Sequence, residues 1–371
     1  MFCSRKIVVI AMFVPALLCP ARAVIFHAEG DPLHNANAPT GALTNSGWQL
    51  QGRWHGVLGT PIGPNHFITA THVGGAFGDI FTFNGVNYTT TARHVDTNSD
   101  LTIWQVSSRF NDWAQLYTRS DEVGKDFVVF GRGTKRGAAV QVGAGLTAVA
   151  KGWLWGDYDG VTRWGENKVE DVFDADGNPQ SVIISGQVAI GPLLRATFDA
   201  NGGPNEAMLS NGDSSGGVFI NDAGIWKLAG INYAVDGPYN NSPTGSGFVA
   251  CIFDEGGLYK GGEGSWIFTP DLPTSQAGAF YMTRISARQE WIRSIIGEPG
   301  VPEPAPVLEF ATALNGTYQV DSSAVFDEAT TVLRTPNTEE QRFFRIRAAQ
   351  LMEIVNFRRD GTDLVFECQF K

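Results

Sequence analysis

The 371-residue sequence has few cysteines, no metal or nucleotide motif and almost no long apolar run. Of its four cysteines, Cys3 and Cys19 lie near the N-terminus, which leaves Cys251 and Cys368 for the rest of the chain. Two cysteines without a CxxC pair argue against a disulfide framework and a cysteine-based zinc site. The histidines form no HExxH pattern, and no glycine-rich phosphate loop is present. The sequence therefore predicts no metal and no cofactor.

The first 23 residues differ in composition from the rest of the chain. Arg5 and Lys6 are followed by an apolar stretch over residues 7–18 and by the Ala-Arg-Ala sequence of residues 21–23. This three-part pattern is typical of a signal peptide, here cleaved after Ala23. The apolar stretch is too short for a spanning helix, and no later stretch is long enough. We therefore expect a secreted or periplasmic protein without a membrane span.

Charge restricts the possible partners. Removal of residues 1–23 takes away three cations and no acid, so the formal net charge changes from −11 to −14. An acidic chain repels phosphate backbones and anionic lipids, which argues against a nucleic-acid or membrane-surface partner. The sequence gives no indication of the oligomeric state.

Short apolar stretches separated by Gly, Asn, Asp and Pro turns run from about residue 44 to residue 253. Examples are residues 67–70, 101–106, 127–130, 181–184, 217–220 and 226–231. This rhythm predicts an antiparallel sandwich or barrel. A period of 3.6 residues over 284–296 predicts one amphipathic helix, with Ser286 and Gln289 as its capping box and Gly297 at its end.

A Pro-rich stretch follows the helix and separates two domains. We predict a first domain over residues 24–298, a linker over 299–307 and a small β module of unknown role over 308–371. Strand-like stretches in the module cover residues 316–320, 330–333, 342–347 and 364–370. Alternation in the last stretch directs Cys368 to the core. Buried free thiols are favoured over a disulfide between Cys251 and Cys368, which would staple the two domains.

The strongest local motif is GDSSGGVF, at residues 212–219. A nucleophilic serine needs a tight glycine-rich turn that exposes its hydroxyl and lets backbone N–H groups converge on an oxyanion. Ser214 is the favoured nucleophile. Two alternatives remain: Ser215 as the nucleophile, and a plain hairpin turn without catalytic function.

Two further segments supply a base and an acid. His72 follows the apolar segment FITAT, and histidine takes and returns protons near neutral pH. Asp100 precedes the apolar segment LTIWQV and would orient the imidazole. Asp96 is its rival but has no apolar strand directly after it. The competing interpretation of His72 taken alone is a structural, hydrogen-bonded histidine. That of Asp100 taken alone is an ordinary acid next to an apolar strand.

Together the three segments resemble the TAAHC, DIALL and GDSGGP segments of trypsin/chymotrypsin-like serine peptidases. They occur in the family's order, with separations of 28 and 114 residues. The segments FGRGT at 130, KLAGINY at 227 and FYMTRIS at 280 resemble further family segments in the same order. The match covers roughly residues 48–296. The sequence is thus identified as a bacterial-type exported member of this family, with Ser215 and Val73 departing from the usual Gly and Cys.

The resemblance implies an all-β fold of two six-stranded antiparallel Greek-key barrels with a C-terminal helix. It implies a His72–Asp100–Ser214 triad that hydrolyses protein or peptide substrates through an acyl-enzyme. Backbone N–H groups of Gly212 and Ser214 would form the oxyanion hole, and Asp213 would be buried and orient their loop. Met208, Leu209 and Tyr233 would line the substrate pocket. The family's activation by a freed N-terminal amine has no clear counterpart here, because Val24 lacks the usual surroundings.

Two other interpretations compete with this one. A non-catalytic member of the same fold would bind a peptide or a surface partner, but no triad residue is missing. The acidic residues at 174 and 176 suggest a calcium loop less well than a hairpin turn.

Overall fold

The computed structural model describes residues 24–31, 33–174, 183–184, 187–188, 190–297, 306–327, 330–338, 342–348 and 352–370. The described residues are mostly β, with 48% of them in strands and 7% helical. The predicted signal peptide, most of the hairpin turn predicted over residues 173–179 and nearly all of the predicted linker lie outside the described residues.

The first half of the molecule, over residues 52–106, is a closed antiparallel barrel. After β1 (Ile25–Phe26), its strands are β2 (Gly52–Trp54), β3 (Val57–Gly63), β4 (His66–Ala70), β5 (Ile80–Phe83), β6 (Val86–Val95) and β7 (Leu101–Val106), in the order β2-β3-β4-β7-β6-β5. Aromatic rings fill the barrel, and Phe67 stacks on Phe81 at a centroid distance of 3.9 Å. A Cβ at Gly52 would lie 2.1 Å from the Phe81 ring, so this position needs glycine.

The second half, over residues 126–284, is built around a seven-stranded antiparallel sheet. Its region contains β8 (Asp126–Gly131), β9 (Thr134–Val142), β10 (Val149–Tyr158), β11 (Arg163–Lys168), β12 (Asp171–Asp174), β13 (Ile183–Ile184), β14 (Gln187–Val188), β15 (Pro192–Thr197), β16 (Ala207–Met208), β17 (Gly217–Asp222), β18 (Ile225–Val235), β19 (Tyr239–Asn240), β20 (Ala250–Ile252), β21 (Tyr259–Lys260), β22 (Ile267–Phe268) and β23 (Ala279–Arg284). The large sheet has the order β11-β8-β17-β18-β23-β15-β12. Smaller sheets are β20-β10-β9, β19-β21-β22, β13-β14 and β1-β16.

One closed barrel is thus present, while the second half has an open strand order. The prediction of an all-β chain with a barrel is confirmed. Stretch 101–106 coincides with β7, and the other predicted strands of this region overlap β4, β8, β13, β17 and β18.

The one α-helix among the described residues, α1 (Gln289–Ile296), follows β23. It begins later than predicted, because the chain over Ser286–Arg288 forms a 3-10 turn. The predicted capping box is wrong: the Ser286 hydroxyl donates to Glu122 at 2.5 Å and caps no helical N–H. Ile292 is fully buried against the barrel. No helix in the described part of the chain is long and apolar enough to cross a membrane.

The C-terminal module consists of two small sheets, β25-β24-β28 and β26-β27-β30-β29. Its strands are β24 (Val307–Ala311), β25 (Gln319–Val320), β26 (Val325–Asp327), β27 (Val332–Pro336), β28 (Phe343–Arg347), β29 (Met352–Asp360) and β30 (Asp363–Phe370). Leu308, Leu333, Phe366 and Cys368 form the module's buried core. Cys368 faces this core, as predicted. Cys251 and Cys368 are both buried and free, so the disulfide alternative is not realised.

Candidate active site

The pairing of β4 with β7 brings His72 next to Asp100. Ala70, the last residue of β4, lies opposite Leu101, the first residue of β7. The turn after β4 therefore meets the residue before β7. His72 lies in that turn, and Asp100 is that residue. Antiparallel register thus explains why two sequence segments 28 residues apart join in one site.

Asp100 binds His72 through both carboxylate oxygens. Oδ1 accepts the backbone N–H of His72 at 3.0 Å, and Oδ2 lies 2.6 Å from Nδ1. Asp100 is only 4% exposed. This arrangement holds the proton on Nδ1 and leaves Nε2 as an acceptor. The rival Asp96 binds elsewhere, since it accepts two hydrogen bonds from Arg288 at 2.6 and 2.7 Å.

Ser214 reaches His72 from the loop between β16 and β17. Its Oγ lies 2.8 Å from Nε2 of His72. The structure therefore brings the three residues predicted as a triad into one line of contacts. A nucleophile next to a base, and a base oriented by a third group, is the arrangement that activates a serine hydroxyl.

Asp213 anchors the loop that carries Ser214. Its Oδ2 accepts the N–H and the hydroxyl of Ser210 at 2.6 and 2.8 Å. Its Oδ1 accepts the N–H of Gly133 at 2.7 Å and that of Val24 at 3.4 Å. Burial raises the pKa of Asp213 to about 6, although these hydrogen bonds lower it. The prediction that Asp213 is buried and orients the loop is confirmed.

Some backbone N–H groups of this loop remain available to a ligand, and those of Gly212 and Ser214 are among them. Several others donate to acceptors within the protein: those of Ser210, Asp213, Ser215, Gly216 and Gly217. The N–H groups of Gly212 and Ser214 have no acceptor among the described residues. Gly212 has φ +94°, and a Cβ there would lie 2.9 Å from the ring of Tyr158. Converging free N–H groups are what an oxyanion hole requires.

Ser215, the alternative nucleophile, has a different partner. Its hydroxyl accepts the N–H of Ala70 at 2.7 Å, and the residue is fully buried. Its backbone lies in the left-handed region, with φ +67°. This geometry favours Ser214 over Ser215 as the nucleophile.

The three residues predicted to line a substrate pocket separate into two groups. Tyr233 lies beside His72, with a ring-centroid distance of 6.0 Å. Burial, followed by the charge of Asp100, raises the pKa of Tyr233 to about 12. Met208 and Leu209 are instead buried in the apolar core of the second half, where Met208 pairs with Ile25.

Sequence reasoning missed the contact between Val24 and Asp213. The two residues are 189 positions apart, and no local motif connects them. The one signal was the position of Val24 directly after the predicted cleavage site.

Within the described residues, no group of three His, Cys, Asp or Glu side chains is arranged to hold a metal ion. No protein-family model and no curated protein matches the chain.

Proposed function

We propose that this chain is an exported serine endopeptidase of the trypsin/chymotrypsin type that hydrolyses protein or peptide substrates. The contacts of 2.6 Å from Asp100 to His72 and 2.8 Å from His72 to Ser214 carry the proposal. The free N–H groups of Gly212 and Ser214 next to the nucleophile support it. Export is inferred from the signal pattern of residues 1–23.

Acylation begins at Ser214. Nε2 of His72 takes the hydroxyl proton as Oγ attacks the carbonyl carbon of the scissile peptide bond. The carbonyl oxygen becomes an oxyanion that accepts hydrogen bonds from the N–H groups of Gly212 and Ser214. Asp100 stabilises the imidazolium and keeps its Nδ1–H oriented.

The tetrahedral intermediate then loses the amine. His72 returns its proton to the leaving nitrogen as the C–N bond breaks, which leaves an ester between the acyl group and Ser214. A water molecule, deprotonated by Nε2, attacks this ester in the second half-reaction. Collapse releases the carboxylic acid and restores the serine hydroxyl.

The proposal includes a second barrel built from the seven-stranded sheet. Asn167 of β11 donates its side-chain N–H to the carbonyl of Thr197 on β15 at 2.8 Å. Because β11 is one edge of the sheet and β15 lies near the other, this bond supports a strongly curved sheet.

Maturation of the chain would complete the site. Cleavage after Ala23 would convert the N–H of Val24 into an ammonium beside Asp213. The groups that now bind the Asp213 carboxylate are all neutral. A buried carboxylate gains strongly from a cationic partner, so the new ammonium would stabilise the loop that carries Ser214.

A fluorophosphonate probe tests the proposal. We expect one covalent adduct, located at Ser214 by mass spectrometry. Ser214→Ala should abolish labelling in a folded protein. Ser215→Ala is the matched control and should still be labelled, because Ser215 contacts Ala70 rather than His72.

Other outcomes would contradict the proposal. An adduct on Ser215 would show that Ser215, and not Ser214, is the nucleophile. Absence of labelling in the processed, folded chain would favour the non-catalytic alternative, a peptide- or surface-binding module.

A further inference from the structure

Arg132 is held next to the loop that carries the nucleophile. It lies between β8 and β9, and its neighbour Gly133 donates its N–H to Asp213 at 2.7 Å. A Cβ at Gly133 would lie 2.5 Å from the carbonyl oxygen of Asn211. The backbone on the C-terminal side of Arg132 is therefore packed directly against the loop of residues 210–217.

Arg132, Tyr158 and Gly56 are linked by hydrogen bonds. Nη1 of Arg132 donates to the carbonyl oxygen of Gly56 at 2.5 Å and contacts the Tyr158 hydroxyl at 2.9 Å. The Tyr158 hydroxyl also donates to Gly56 at 2.5 Å. We call these three residues the Arg132 rim. The ring of Tyr158 lies against Gly212, whose N–H has no acceptor among the described residues.

The hairpin that carries Gly56 also contacts the segment that follows His72. Gly56 belongs to the hairpin between β2 and β3. In the same hairpin, Trp54 donates its Nε1–H to the carbonyl of Gly74, two residues after His72. Tyr233, in contrast, lies near Asp100, the residue that binds Nδ1 of His72. Tyr158 of the rim thus lies beside Gly212, and the hairpin of Gly56 lies beside Gly74.

The guanidinium of Arg132 has only neutral partners. Among the described residues, no carboxylate lies within 4.0 Å of it. Its Nε is buried without an acceptor. Nη2 also has no acceptor among these residues but is not buried. Arginine keeps its charge at all physiological pH values, and its donors bind carboxylates more strongly than neutral oxygens.

We propose that the Arg132 rim binds an acidic side chain of the substrate, so that the peptidase prefers Asp or Glu close to the scissile bond. This inference rests on the proposed function. Ser214 is two residues from Gly212, and an extended peptide advances about 3.3 Å per residue. The acidic residue should therefore lie within about three residues of the cleaved bond.

The test uses the processed full chain and internally quenched peptides with blocked ends, so that no terminal carboxylate is present. Glu and Gln are compared at each of three positions on either side of the cleaved bond. We expect kcat/KM to be about tenfold higher for Glu than for Gln at one or two adjacent positions. The ratio should decrease as salt is raised, because ions screen the pair.

Arg132→Gln should bring the Glu-to-Gln ratio to within about twofold of one. Labelling of this variant by the fluorophosphonate, at whatever rate, shows that it is folded. Lys135→Gln is the matched control: it removes the same charge from a residue that pairs with Asp157 at 2.7 Å, and it should preserve the preference.

If Arg132→Gln does not fold, the comparison of Glu and Gln peptides with the wild-type chain still tests the proposal. Labelling at Ser214 without a preference for Glu at any position would overturn the rim proposal and leave the proposed function standing. A preference that survives in folded Arg132→Gln would also overturn it. Absence of labelling in wild type would overturn both.

Discussion

Ser215 combines an unfavourable backbone conformation with a useful hydrogen bond. Its φ of +67° is one that non-glycine residues seldom adopt. Its hydroxyl nevertheless accepts the otherwise unpaired N–H of Ala70, two residues before His72. The bond links the loop of Ser214 to the end of β4, and the strain is tolerated where the segments of the proposed active site meet.

Substitutions at Ser215 should separate these two effects. Ser215→Ala keeps the strain and leaves the buried Ala70 N–H without an acceptor, so we expect the free energy of unfolding to fall by about 1–3 kcal/mol. Ser215→Gly loses the same bond but relieves the strain, and should be about 1 kcal/mol more stable than Ser215→Ala. Urea denaturation measures both values. A Gly variant less stable than the Ala variant would show that the backbone is not strained at this position.

The contacts among His72, Asp100 and Ser214 could be predicted because each residue lies next to an apolar strand with a recognisable local sequence. His72 follows β4, Asp100 precedes β7, and Ser214 precedes β17. Arg132 and Gly56 could not be paired in this way, since 76 residues separate them and only the folded chain brings them together. Such contacts depend on the packing of one half against the other, which no local pattern encodes.

Among the secondary-structure elements, the turn that precedes α1 shows where local rules of helix capping fail. Ser286 has the sequence of a helix cap, yet its hydroxyl donates to the buried Glu122, which also accepts Arg284 at 2.6 and 2.9 Å. A buried carboxylate needs several donors, and this requirement outweighs the gain from capping. Arg288 makes a second link of this kind, to Asp96.

Removal of Arg288 should show how much this second link contributes. Asp96 is 3% exposed, so Arg288→Ala leaves a buried charge without its cation. We expect a loss of about 3 kcal/mol in the free energy of unfolding. Glu290→Ala, an exposed site on α1, is the control and should change stability by less than about 0.5 kcal/mol. A loss below about 1 kcal/mol for Arg288→Ala would mean that solvent replaces the guanidinium.

The contact between Val24 and Asp213 predicts a pH dependence. In a chain that keeps residues 21–23, Asp213 is buried beside neutral groups and its pKa is raised to about 6, above its ordinary value of 3.8. A raised folded-state pKa stabilises the protein at low pH, and this stability is lost as pH rises through about 6. In the processed chain, the Val24 ammonium compensates the carboxylate.

We therefore expect the stability difference between processed and extended chains to grow by about 1–3 kcal/mol between pH 4 and pH 7, in favour of the processed chain. Denaturation curves at both pH values measure it. Asp213→Asn is the control, since an amide does not titrate and the difference should then be independent of pH. Equal pH dependence of the two wild-type chains would remove Val24 from this role.

For the molecule as a whole, the barrel and α1 share one apolar core that includes Ile285 and Ile292 and no residue beyond Ile296. The C-terminal module has a core of its own, formed from residues 308 to 368. The Pro-rich composition of residues 299–306 is the basis of the predicted domain boundary, and β24 begins at Val307, inside the predicted linker. The strand order of the second half could not be predicted, because it depends on pairings between distant segments.

Two separate cores predict that the chain can be divided. A chain of residues 24–297 keeps the triad, the nucleophile loop and Ile292, which is fully buried. We expect it to fold, and its fluorophosphonate labelling rate to stay within about twofold of the full chain, because domains with separate cores fold independently. A chain ending at Arg288 is the matched control: without α1 it loses Ile292 from the barrel core and should be unstable or insoluble. If the chain ending at residue 297 also failed to fold or to react with the probe, the C-terminal module would be part of the catalytic domain, and the boundary at this position would be wrong.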